Sequence, residues 1–379
     1  MNLSSIRSAE ASHAIGRPTV DDATPTSHEH VGFELGWDHA RHKLEPPAPY
    51  DQQHSSLRNG LLAGRAAMGG RSLPATPAVR KWLQLRLHAW LRGRSFELLQ
   101  VTPRYLQQID ARFCPVTRIE LDETVSAIDR VRNDAGYAAG NLAVISAQAN
   151  RAKGAHGFAD AMRCVRQLED RPLLEIGGLG AAAWRRIAIL CSFVEPMPHA
   201  DACTLPLLVL PPRRLHLLNP VQALQAMISC QLLQPGWSKR SRSFEALLHG
   251  QAQRRAYQAF FHAYLPRVLE AVPPAVRQAR GEHDLQQLRW AIEDAWNHPP
   301  VLRHWTAFAR LLDAAGCERL IERFDALRLG PLRSASFSDA QATEGWNLES
   351  RGYVPHAELR RRSPPRRMSA AIRQSCLPL

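Results

Sequence analysis

The chain has 379 residues, long enough for two domains or for one domain with long tails, and 45% of them are apolar, enough for a sizeable core. Its net charge of +13 suits a polyanionic partner, although only four of the 48 basic residues are lysines (Lys43, Lys81, Lys153 and Lys239), an arginine bias that a GC-rich genome writes without functional demand. No run approaches the roughly 18 apolar residues of a membrane span, and MNLSSIRSAEASHAIG carries no apolar stretch of signal-peptide length, so the expectation is a cytoplasmic protein with no membrane partner.

Residues 1–30, rich in Ser, Ala, Thr and His, read as a disordered tail. A helical N-terminal region is expected over 31–112. Within it, 31–70 alternates short apolar pieces with Pro, Gly and His, and 44–49 is extended because each proline disfavours helix in its predecessor. A helix is predicted over 77–94, where Val79, Leu83, Leu87 and Leu91 recur every four residues with Trp82 and Trp90 flanking them as core. Thr102 and Pro103 open another, to about Phe113. Beyond the segment 113–157, a helical extension (158–196) holds helices near 157–168 and 180–194 and stops at Glu195-Pro196-Met197-Pro198. Leu205–Leu210 (LPLLVL) reads as a buried strand before Pro211 and Pro212. Helices near 220–233, 243–249, 252–270, 282–296, 300–314 and 316–328 make 197–330 a helical C-terminal domain. A basic, disordered tail, 331–379, ends in RRRSPPRRMSAAIRQSCLPL. The seven cysteines (Cys114, Cys164, Cys191, Cys203, Cys230, Cys317 and Cys376) never lie within four residues of one another, so they form no CxxC zinc clasp and read as buried thiols.

The chemistry concentrates between Ser126 and Gly154, SAIDRVRNDAGYAAGNLAVISAQANRAKG. Asp129 stands near the end of an apolar strand, 125–131, for which Cys114–Thr117 with Ile119 and Leu121 suggests the preceding hairpin strand. Gly136 and Gly140 give the following loop its φ freedom, and the Asn141 amide can tie loop backbone to strand. Leu142–Ile145 is a second short apolar strand, and Ser146 suits the N-cap of a helix through Lys153. Asn150 on that helix can turn an oxygen toward a metal that Asp129 also faces. Oxygen ligands with open water positions favour Mg2+ or Mn2+.

These residues resemble the HNH, or ββα-metal, endonuclease family over about residues 113–157. The form Ser-x-Asp-Arg-Val, Gly-Tyr, Gly-Asn, Asn is similar to a subgroup found in phage and mobile-element proteins. With the ββα-metal finger that the resemblance implies, the expected fold is α+β: a mainly helical protein with that small finger embedded and disordered termini. The resemblance also implies metal-dependent hydrolysis of DNA phosphodiester bonds. Asp129 matches the family's metal ligand, Asn141 its central Asn, and Asn150 the ligand on the helix. Asn-Arg-Ala-Lys-Gly is similar to the end of the motif and would put Lys153 near a phosphate. Arg130 stands where the general-base His is usual. Arginine stays protonated, so Arg130 can clamp a phosphate bidentately and leave deprotonation to bulk water or another residue, for which His156 is a candidate base.

The catalytic set expected is therefore Asp129, Arg130, Asn141, Asn150 and His156, with Asp129 and Asn150 on the metal. Nucleic-acid contacts are expected from Lys153, Arg151 and Arg132, and from Lys81 and Arg86 in the basic run 71–104, where Glu97 is the sole acid. Arg360–Arg367 reads as part of a disordered end, with a non-specific DNA arm as the alternative. Blander readings exist for each residue: an Asp129–Arg130 surface pair, a plain turn at Gly140-Asn141, and a solvated helix face for Asn150 and Lys153. Two whole-protein alternatives stand beside the nuclease. One is a catalytically inactive nucleic-acid-binding protein that keeps the finger as scaffold; the other is a helical module that recruits a protein partner through its C-terminal half.

Overall fold

The computed structural model describes residues 28–48, 55–170, 174–272 and 281–327. The expected tails, up to residue 27 and over 331–379 with Cys376 and the Arg360–Arg367 cluster, lie outside the described residues.

The fold is mainly helical. Helices α1 (His28–Arg41) and α2 (Ser56–Met68) occupy much of the stretch that the sequence broke into short pieces. Both carry glycines four apart, Gly32 and Gly36 facing Gly60 and Gly64, which lowers helix propensity but lets the two backbones meet. A Cβ on Gly36 would fall 1.9 Å from the Leu57 carbonyl oxygen, and one on Gly60 1.9 Å from that of Phe33.

Helix α3 (Pro77–Leu91) starts under a Thr76 cap whose hydroxyl accepts from Val79 N–H at 3.3 Å. It serves two apolar clusters. Val79, Leu83 and Leu87 pack with Leu35 of α1 and Leu57 of α2. Leu85 and Ala89, one face round, pack with Tyr105, Ile109, Leu142 and Val144. Trp82 joins both clusters and donates to the Val101 carbonyl at 2.7 Å, and Trp90 stacks on His28, so both indoles are core as expected. Helix α4 (Pro103–Ile109) stops short of Phe113 because Phe113 turns out to bridge Glu120.

The expected strand over 114–121 is absent. Residues 114–117 form a turn, closed by the single Phe113–Glu120 bridge. The sheet is instead one antiparallel pair, β1 (Ser126–Arg130) with β2 (Leu142–Ser146), in the register Ser126↔Ser146, Asp129↔Ala143 and Arg130↔Leu142. Helix α5 (Ala147–Lys153) follows, with the Ser146 hydroxyl accepting from Ala149 N–H at 3.2 Å. Strand, loop, strand and helix thus appear in the order read from the sequence.

Helices α6 (Phe158–Asp170) and α7 (Ala181–Ser192) cover the finger's inner side. After the single turn α8 (His199–Ala202), Leu205–Leu210 is not the expected strand but a buried irregular segment. Pro206 has no N–H to give a ladder, and Leu210 N–H finds the Glu293 carboxylate at 2.8 Å. The remaining helices are α9 (Pro220–Cys230), prolonged by the 3-10 turn Gln231–Leu233, then α10 (Trp237–Leu247), α11 (Gly250–Ala271), α12 (Glu282–Ala295), α13 (Pro299–Ala309) and α14 (Ala314–Ala326). Helix α10 begins earlier than expected. Its polar start hides Arg240, which folds inward onto the carbonyls of Gln231, Gln234 and Pro235.

One apolar core runs from Cys114 and Ile145 of the finger through Trp184 and Leu224 to Phe324. Arg118 ties the finger to α12, with guanidinium nitrogens 2.6 and 2.8 Å from Asp294 and 3.2 Å from Glu293. The six cysteines among the described residues are buried and free, as expected. No described helix is long and apolar enough to cross a membrane.

Candidate functional site

The loop 131–141 is held from every side. Asn141 is fully buried; its amide oxygen accepts from Arg132 N–H at 2.9 Å, and its amide nitrogen donates to the carbonyls of Arg132 and Gly136, each at 3.0 Å. The expected tie between loop and strand is therefore present. Gly140 sits at φ +86°, donates to the Tyr105 hydroxyl at 2.9 Å, and lies so close to His216 that a Cβ would fall 2.3 Å from the ring. Glu97 reaches across to accept from Ala139 N–H at 2.8 Å. Cys114 braces the other end, its sulfur accepting from the backbone N–H of Thr117 and of Ser146.

Against this frame the second half of α3 lays a polar strip, Gln84, His88 and Arg92, spaced by four so that it shares one helix face. Between the strip and the finger is a cleft of about 150 Å³, lined on the finger side by Asp129, Arg130, Asn133, Tyr137, Asn150 and Gly154. Asp129, Arg130 and Asn150, all expected at the site, are thus brought to one cleft.

Lys153 does something else. It is fully buried, and its ammonium lies 3.0 Å from Asp129 Oδ2, 3.3 Å from Oδ1 and 3.0 Å from the Arg130 carbonyl. This corrects its expected place near a phosphate, and equally the blander reading of a solvated helix face. Burial pushes the Asp129 carboxyl above its ordinary range, while the ammonium pulls it back toward the charged form. The Oδ2 contact is an ion pair without hydrogen-bond geometry, which leaves that oxygen with no hydrogen-bond donor among the described residues.

Arg130 donates to the carbonyls of Asn133 and Ala135 at 3.0 and 3.1 Å, and lies over the Tyr137 ring. It is a clamp on its own loop. His156 is outside the cleft lining: its ring meets Trp184 edge-on and lies 3.9 Å from Asp160, which corrects its place as a base beside Asp129. Arg86 is likewise corrected. It is buried beneath Trp82 and paired with Asp38 of α1, so it offers nothing to a phosphate backbone. Arg132 is only 10% exposed in its side chain and pairs with Asp134 at 3.2 Å. Lys81 is half-buried on α3, and Arg151 is exposed on α5.

No group of three His, Cys, Asp or Glu side chains among the described residues is arranged to hold a metal. Asp129 and Asn150 carry oxygen donors of the type Mg2+ takes, and not those of a closed zinc site, but the Asp129 oxygen that lacks a hydrogen bond is buried 3.0 Å from the Lys153 ammonium, a cation that a metal there would have to displace. The Asn150 amide makes no hydrogen bond among the described residues and is available to such an ion. The residue that sequence reasoning missed is His88. Its signal was the i, i+4, i+8 spacing of Gln84, His88 and Arg92, hidden beside the stronger leucine stripe. Set against known proteins, the chain matches no family model, no curated protein and no solved structure.

Proposed function

We propose that the protein is an HNH-type, metal-dependent phosphodiesterase acting on DNA at the cleft between α3 and the finger. The observation that supports this reading is the meeting of Asp129, Arg130 and Asn150 at a single cleft that also receives the positive Arg92. Asp129 and Asn150 would hold the Mg2+ or Mn2+, with water in the remaining positions. When bound, the ion supplies charge neutralisation at the scissile phosphate and leaving oxygen. Arg92 draws the phosphate in, Asn141 and Arg130 hold the loop rigid beneath it, and Lys153 pulls the buried Asp129 carboxyl back toward its charged form.

The experiment is nicking of supercoiled plasmid by the full chain with Mg2+ or Mn2+, alongside Asp129→Ala and Asn150→Ala, with circular dichroism to verify folding. Nicking by the wild type and a drop of about 100-fold or more in both variants is expected. No nicking with any divalent metal, or wild-type nicking by both variants, overturns the reading.

A second reading has its own support in the Lys153–Asp129 pair: an internal cation already neutralises the carboxylate. On that reading the finger is a scaffold that binds DNA without cutting it. Binding that weakens steeply with salt, with no cleavage under any metal, is its signature.

A further inference from the structure

We infer that His88 is the group that accepts the proton of the attacking water, supplied to the cleft by α3 and not by β1. The inference rests on the phosphodiesterase reading and names the base which that reading lacks. Arg130 cannot serve, because a guanidinium stays protonated and this one is engaged with two loop carbonyls. His156 cannot serve from outside the cleft.

His88 lines the same cleft as Asp129 and Asn150, and its ring makes no hydrogen bond among the described residues. A ring nitrogen is therefore free for a water held there, and about 150 Å³ gives room for a phosphate group with several waters. The titratable and charged neighbours facing the cleft are Arg92 from its own helix end, Asp129 and Arg130 from β1, and Tyr137 from the loop. Burial first, and Arg92 second, lower the His88 pKa to about 4, so the ring is neutral at ordinary pH. An entering phosphodiester anion offsets the Arg92 part of that shift and raises the basicity of the ring.

The step balances. The water oxygen bonds to phosphorus as the bond from phosphorus to the leaving ester oxygen breaks, one water proton passes to a ring nitrogen of His88, and the leaving oxygen is protonated from solvent. His88 then returns its proton to solvent.

The test compares wild type, His88→Ala and His88→Gln in plasmid nicking, with and without added imidazole, together with DNA binding and thermal stability. The His88 ring is also titrated by NMR without metal, with and without a short DNA duplex. A loss of about 100-fold in both variants is expected, with DNA binding and stability near wild type. Partial rescue of His88→Ala by imidazole and a rise in the His88 pKa with DNA are expected too. Wild-type nicking by His88→Ala while Asn150→Ala is inactive overturns the role of His88 and leaves the phosphodiesterase reading standing. Loss of nicking with weakened DNA binding and no imidazole rescue marks a structural residue and overturns it, as does a pKa unmoved by DNA. A wild type that never nicks overturns both.

Discussion

Asp129 and Lys153 are the residues on which structure and function pull hardest against each other. Neither side chain has appreciable access to water, so each charge depends on the other for compensation. Lys153→Met leaves the carboxylate buried without its cation, and a loss of about 3–5 kcal/mol in urea unfolding is expected. Changing both, Asp129→Asn with Lys153→Met, removes the stranded charge and should recover part of that loss. A double variant no more stable than the single one would show that the pair holds the finger through more than charge compensation. The identity of Lys153 was legible in the sequence, as the end of a recognisable motif, but its direction was not. A helix of seven residues carries too little periodicity to say which side faces in, and a terminal lysine reads as exposed by default. Asn141 was legible because a loop closed on a short strand needs a side-chain amide to satisfy its carbonyls, and few other residues supply one.

Among the elements, those with a clean period were readable: α3, α4, α5, β2 and the C-terminal helices other than α10 stand where leucine spacing or a capping residue placed them, within about five residues at their ends. The failures have physical reasons. The 114–121 strand was expected from apolar alternation, yet a β-hairpin needs backbone pairing, and here the Cys114 sulfur takes the Thr117 N–H within a turn and accepts the Ser146 N–H from the end of β2. LPLLVL looked like a strand because burial and strand pairing leave the same apolar trace. Helices α1 and α2 were missed because glycine weakens a helix in isolation, and only the partner helix repays it. Gly60→Ala tests this directly. The added methyl meets Phe33 backbone, which no rotamer change relieves, and a loss of about 1–3 kcal/mol in thermal or urea unfolding is expected. If the variant is as stable as wild type, the two backbones are not in contact in solution.

For the whole molecule, the joint between finger and C-terminal helices runs through Glu293, and it is sensitive to pH. Burial raises the Glu293 pKa from 4.5 to about 7, against the pull of the Leu210 N–H and of Arg118. Between those values the folded protein binds a proton that the unfolded chain does not. Its contribution to stability is therefore full below pH 4.5 and is lost as pH rises through about 7. Glu293→Gln keeps an acceptor for Leu210 and leaves Arg118 its Asp294 contacts. The variant should gain on the wild type by up to ~3 kcal/mol from the acid to the alkaline side of that window, read as diverging melting temperatures. Parallel curves would place the carboxyl in its ordinary range.

The two-sided packing of α3 has a consequence for what the cleft can accept. One flank of this helix is bonded into the α1–α2 pair and the other into the finger, so neither can retreat without opening the opposite seam. The width of the slot is set in part by Leu85, which lines it and belongs to the packing of α3 on the finger. Whatever enters must already fit that width.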